Sequence, residues 1–186
     1  VSFIMDLSKE LDLEDDILAD LEKQANRISN SALSELLPED VKLAGYKMVE
    51  VYTYLYSVEN SLRLFIEKVC KKTHGEEFFS MLTIPRRTSE NLIQRKRDAH
   101  SKKWLSVRGD SDLFYLDFKD LGSIIDNNWG IFKNYFPSQE FILPKINEMA
   151  DCRNLIAHNS LVDGTEVDLI RTYYNIILKQ LSETLK

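Results

Sequence analysis

The stretch from Pro38 to Gly75, PEDVKLAGYKMVEVYTYLYSVENSLRLFIEKVCKKTHG, decides the fold class. Val41, Ala44, Met48, Val51, Leu55, Val58, Leu62, Phe65 and Val69 recur three or four residues apart and form one apolar stripe. Pro38 stands where a first helical residue would, and Glu39 and Asp40 suit the positive end of a helix dipole. Lys71 and Lys72 supply a cationic last turn, and Gly75 a C-cap. A helix of that length runs about 50 Å at the α-helical rise. It reads as the spine of an all-α helical bundle.

Outward from the spine the signals remain helical. Upstream, Ile17, Leu21, Ala25, Ile28, Ala32 and Leu36 predict an amphipathic helix near 14–36. Downstream, residues 76–86 read as a short helical turn and a loop closed by Pro85. Thr88 or Ser89 is expected to cap a peripheral helix reaching about Leu105. Leu113 to Phe118 is too short to divide between strand and buried connector. A short helix is expected over 117–127, with 129–136 following it, and Pro144 is expected to open or kink a helix ending near His158. After a turn at Asp163-Gly164, Thr165 and Asp168 form a capping-box variant. The last helix is expected to bury Val167, Ile170, Tyr174, Ile177 and Leu181. Residues 1–37 read as an N-terminal helical extension and 38–186 as the main helical domain.

Composition narrows the class. The chain has 186 residues, of which 44% are hydrophobic and 29% charged, enough to bury a core without metal or disulfide staples. Six Gly and four Pro leave few breaks, which favours long helices. No apolar run approaches the roughly 20 residues that span a bilayer. Cys70 and Cys152 form no zinc or C-x-x-C spacing, so they read as packing residues of a reduced, cytoplasmic chain. Beginning at Val1, the chain reads as a trimmed or partial sequence.

The net charge of −6 counts against nucleic acid as a partner, but it is unevenly spread. Arg86 to Arg108 holds eight Lys/Arg against two Asp/Glu, a local +6, and the remainder stands at −12. Because salt screens beyond about 8–10 Å, a basic segment on an acidic body can still bind phosphate. Arg95, Arg97, Lys102 and Lys103 are its candidate RNA contacts. The competing reading is a solvated helix face, and with Trp104 as the one large aromatic there the segment makes a poor stacking platform.

The segment that can carry chemistry is Asp151-Cys152-Arg153-Asn154-Leu155-Ile156-Ala157-His158. Arg153 lies seven residues after Ile146 and so falls on the helix's apolar face, where a guanidinium must be paired or line a cleft. Arg153 and His158 stand about 140° apart on an ideal helix. Their convergence needs a helix end between them or a second copy of the segment. Asn154 and His158 share a face. Arg95 and His100 repeat the Arg–His spacing, but in a charged run that reads as an exposed helix face.

Arg-Asn-Leu-Ile-Ala-His before the last helix of an all-α chain resembles the R-x4–6-H motif of the HEPN superfamily, in its R-N-x-x-x-H form. Tyr54 to Arg63 in the spine resembles the branch typified by the C-terminal HEPN domain of a eukaryotic transcript-surveillance endonuclease. So does Phe114 to Leu121, with Ile124, Ile125, Asn128 and Trp129 beyond it. The likeness covers about 46–185. It implies a helical bundle that commonly dimerises, whose members often cleave RNA without metal or cofactor in toxin–antitoxin, abortive-infection or antiviral defence systems. Arg153, His158 and Asn154 become the implied catalytic residues, and the family position of Glu59 and Arg63 puts them beside the site. Spacing alone makes Glu59 and Arg63 a simple i, i+4 pair. Toxins silenced by a nucleotidyltransferase partner carry Tyr two residues after the His. Ser160 stands here instead, which removes support for that modification.

The implied reading is therefore a metal-independent endoribonuclease with RNA, a second copy of itself and a cognate antitoxin or further domain as partners. The alternatives are a catalytically silent HEPN module binding RNA, a nucleotide or a protein, and a helical adaptor in which the motif is accidental. The intact Arg, Asn and His favour the first, and the acidic net charge favours the second.

Overall fold

A computed structural model describes residues 36–102, 109, 111–158 and 162–185; the helix expected near 14–36 lies outside them, apart from Leu36. The described residues contain helices and no strand. In chain order they are α1 (Glu39–His74), α2 (Phe78–Met81), α3 (Arg86–Ser101), a 3-10 turn (Asp112–Tyr115), α4 (Phe118–Asn127), α5 (Trp129–Phe132), α6 (Gln139–Ala157) and α7 (Gly164–Leu185). None is long and apolar enough to cross a membrane.

The chain divides into two compact units, residues 51–184 and residues 1–50 with 185–186. In the smaller unit, the Val41 and Lys42 backbone N–H groups both donate to Pro38 O at 3.1 Å, starting α1 where Pro38 predicts. Leu36, Leu37, Val41, Leu43 and Val49 are exposed there. The predicted stripe is therefore core only from Val51 onward, because periodicity identifies a helix face and not what covers it.

The larger unit is built on the remainder of α1. Val51, Leu55, Val58, Leu62, Phe65, Ile66 and Val69 are all buried. Phe65 sits within 5.3–5.9 Å, ring to ring, of Phe132, Tyr135 and Phe136. Tyr54 meets Tyr174 of α7 at 4.9 Å. Gly75 takes a φ of 76° and donates to Lys71 O at 2.8 Å, the left-handed cap expected at the end of α1. α7 buries Ile170, Ile177 and Leu181, whereas Val167 and Tyr174 are only half-buried.

Several boundaries differ from the sequence expectation. α3 has Pro85 at its cap position without a side-chain bond. Thr88 lies inside the helix, where its hydroxyl donates to Asp120 Oδ1 at 3.0 Å. The undecided stretch 113–118 is a 3-10 turn followed by two extended residues and the start of α4. α6 opens at Ser138, whose hydroxyl accepts from the Phe141 N–H at 3.1 Å. Pro144 then sits exposed inside the second turn of the helix, which gives up one backbone bond there. α7 is capped by Asp163 and Glu166, which exchange backbone bonds of 2.8 and 2.9 Å, two residues ahead of the expected Thr165 and Asp168.

α4 packs on α6 through Leu121, Gly122, Ile124 and Ile125 against Ile142, Ile146, Met149 and Ala150. Gly122 makes the approach possible: a Cβ there would stand 3.0 Å from Ile146 Cγ2. Gly122→Leu is expected to cost about 1–3 kcal/mol by overpacking. Gly130→Ala in α5, where an added Cβ meets nothing within 4 Å, should be neutral or slightly stabilising. Urea midpoints of the two variants check this, and equal midpoints would contradict it.

Candidate active site

The site stands on the C-terminal half of α6 and the middle of α1. Ile146, Met149, Ala150 and Cys152 fix α6 by burial, which brings Arg153 to the edge of the core. The Arg153 side chain is 41% exposed, so it lines the surface and is not sealed beneath it. Its Nε stands 3.9 Å from Glu59 Oε2, and its Nη1 donates to Asn154 Oδ1 at 3.4 Å. The pairing demanded of a cation on this face is met, loosely, by a carboxylate 94 positions earlier in the chain.

Glu59 is 12% exposed and bridges two arginines. Its Oε1 accepts from Arg63 Nη2, and Arg63 is the better partner of the two. Arg63 also donates from Nη1 to Asn60 Oδ1 at 3.1 Å, from Nε to Leu113 O at 3.1 Å and from Nη2 to Leu116 O at 2.9 Å. It lies 5.8 Å from the centre of the Phe114 ring. Arg63 therefore fastens the 3-10 turn to α1 and holds Glu59 in place. Arg153, the less engaged of the pair, keeps most of its charge for the surface.

His158 follows the last residue of α6. Its N–H bonds Asn154 O at 3.2 Å and Leu155 O at 3.1 Å, and its side chain is exposed. The helix end thus falls at His158 itself and not between His158 and Arg153. Through 153–157 the chain is helical, so the two side chains keep their angular separation, and no hydrogen bond joins them. Asn154 is exposed beside them. Ser160 lies outside the described residues.

Within the basic segment, Arg95 and Lys96 are held in ion pairs. Arg95 donates to Tyr115 O at 2.9 Å, Asp120 Oδ2 at 3.0 Å and Asp117 Oδ2 at 2.7 Å, locking α3 to the start of α4. Burial pushes the Asp117 carboxyl up, but the Asp120 backbone N–H and Arg95 outweigh it and hold the carboxyl below its ordinary range. Lys96 pairs with Asp112. Arg97 and Lys102 are exposed, and Lys103 lies outside the described residues. His100, the partner in the repeated spacing, bonds Lys96 O at 2.7 Å through Nδ1 on an exposed face.

Sequence reasoning missed Asp120 as a hub. It receives Thr88, Arg95 and the Asp117 N–H, and the Asp117-x-x-Asp120 box was the available signal. Asn128 clamps Thr83, accepting its N–H at 2.8 Å and donating to its C=O at 2.9 Å. Cys70 and Cys152 are free and buried; burial lifts the Cys70 thiol to about 12 and, with nearby Glu166, Asp151 and Glu148, raises Cys152 too. Among the described residues no three His, Cys, Asp or Glu side chains gather as a metal site would need.

Residues 53–182 match the family model described as Swt1-like HEPN. The chain belongs to the Swt1-like HEPN family. The matched span runs from α1 to α7 and contains Glu59, Arg63, Arg153, Asn154 and His158. No curated protein and no solved structure matches it. In this HEPN chain the R-x4-H pair therefore occupies the end of the penultimate described helix, with the Glu59–Arg63 pair behind its arginine.

Proposed function

We propose that this HEPN chain is a metal-independent endoribonuclease that works as a symmetric dimer, in the setting of a defence or toxin effector with a cognate antitoxin or further domain. The observation that supports it best is the state of Arg153 beside His158. A half-exposed guanidinium, oriented by Glu59 and Asn154, is placed at the same helix end as an exposed imidazole. Phosphoryl transfer to an internal 2′-oxygen needs those two groups: a fixed cation for the phosphate charge and a proton carrier that works near neutral pH.

In the proposed reaction the RNA 2′-hydroxyl attacks the adjacent phosphorus and the bond to the 5′-oxygen breaks. One base takes the 2′-proton and one acid protonates the leaving 5′-oxygen. The products are a 2′,3′-cyclic phosphate and a free 5′-hydroxyl, and DNA is not a substrate because it lacks the nucleophile. One chain offers a single His158 at the site, so a two-fold axis beside it supplies the second imidazole and a second Arg153.

Purified protein incubated with mixed RNA in excess EDTA is expected to cleave at the rate seen without chelator and to leave cyclic phosphate ends. Loss of cleavage in EDTA with rescue by Mg²⁺ or Mn²⁺ would overturn the metal-free mechanism. The acidic net charge favours a second reading, a silent HEPN module that binds RNA, a nucleotide or a protein. That reading expects no cleavage under either condition.

A further inference from the structure

We infer that Tyr52 and Tyr56 form a stacking platform for the bases of single-stranded RNA, on the face of α1 that leads to Glu59 and Arg153. This rests on the ribonuclease reading and adds a binding subsite to it. Both tyrosines are 58% exposed, an unusual state for two large rings one helical turn apart. Their centroids are 6.0 Å apart at an interplanar angle of 33°. Neither hydroxyl bonds a described residue.

Helical geometry ties the pair to the site. At 100° per residue, Tyr52, Tyr56, Glu59 and Arg63 fall within about 60° of one another on α1. Tyr56 lies about 4.5 Å and Tyr52 about 10 Å along the axis from Glu59. Glu59 in turn stands against Arg153 at 3.9 Å. A strand whose reacting phosphate sits on Arg153 can therefore lay its neighbouring bases along this face. On α1 the pair thus precedes, by one to two turns, the carboxylate that faces Arg153.

Electrostatics gives the platform a purpose. With a net charge of −6 and Arg95 tied up in ion pairs, the chain as a whole offers a polyanion less attraction than a basic protein would. Interactions that do not depend on charge then add to what Arg153 and the exposed cations of α3 supply. Stacking on exposed aromatic rings is one such interaction, and it tolerates any sequence because every base has a π-face.

The test uses the full chain carrying His158→Ala, so that RNA is bound and not consumed. A labelled 12-nucleotide single-stranded RNA pool and the same pool with abasic substitutions are titrated against it. Tyr52→Ala and Tyr56→Ala should each weaken binding of the intact pool roughly 5–100-fold, whereas the Phe variants stay within about twofold. The abasic pool should bind the parent weakly and lose little more on Tyr→Ala. If the parent binds intact RNA and the Ala variants bind it equally well, the platform is wrong while the ribonuclease reading stands. If the His158→Ala chain binds no RNA and the chain with His158 intact cleaves none, both fall. Conversion of a dimer to monomers by Tyr→Ala, with base removal making no difference, would assign the rings to a subunit contact and overturn the platform.

Discussion

His158→Ala is expected to lower RNA cleavage by about 10²–10⁴-fold while leaving the helical circular dichroism and the urea midpoint unchanged. The size follows from what a positioned proton-transfer group contributes. The unchanged stability follows from its place: the side chain is exposed, and the bonds that end α6 come from the His158 backbone N–H, which alanine keeps. His100→Ala is the internal control. His100 shares the Arg–His spacing, but it lies on an exposed face of α3, where its ring bonds Lys96 O. Its variant should cleave at the parental rate. Equal cleavage by the parent and His158→Ala would show that the site is misassigned.

The same variant addresses the dimer. Arg153 and His158 share a helix through Ala157 and do not touch, so one chain makes a poor composite site. Mixing inactive Arg153→Ala and His158→Ala chains should restore activity in heterodimers if each centre takes groups from both subunits. A strictly monomeric protein, by sedimentation at micromolar concentration, that still cleaves RNA would refute the arrangement.

What the sequence could reveal divides along range of interaction. The α1 helix, its Gly75 cap and the Asp117 helix start are local signals and appear where the chain predicts them, whereas the stripe of α1 is core only from Val51. Caps moved where Ser, Thr and Asp crowd together, since any of them can accept a backbone N–H; Asp163 displaced Thr165 in this way. The partners of Arg95 were not legible, because they are distant in the chain. A run of cations reads as a solvated or phosphate-binding face, but the carboxylates that claim Arg95 come 22 and 25 residues later, across a turn that periodicity does not resolve. The link from Glu59 to Arg153 is longer still, and only likeness to HEPN sequences brought the two together before the fold did. The candidate site residues stand out in the sequence as a motif, whereas the different surroundings of Arg63 and Arg153 needed the burial of each.

That difference gives the largest expected effect on stability. Arg63→Ala is expected to cost about 3–5 kcal/mol, the range for removing one partner of a buried ion pair. The Arg63 and Glu59 side chains are 9% and 12% exposed, so solvent screens the pair little. Alanine leaves the Glu59 carboxylate buried with Arg153 at 3.9 Å as its remaining cation, which offsets part of the loss. It also strips Leu116 O of its donor, at about 1–3 kcal/mol for a buried group left unpaired, while Leu113 O keeps the Leu116 N–H at 3.2 Å. Arg63→Lys keeps the charge but not the planar fork that reaches Glu59, Asn60 and two carbonyls together, so it should recover only part of the stability. Glu59→Gln combined with Arg63→Ala should be less destabilised than the two single losses added, because no uncompensated charge remains. Arg153→Ala should cost far less, its side chain being 41% exposed, while abolishing cleavage. Urea unfolding of the set checks the order. An Arg63→Ala loss below about 1 kcal/mol, well under the buried-pair range, would mean that the clamp on the 3-10 turn does not hold Glu59 against Arg153.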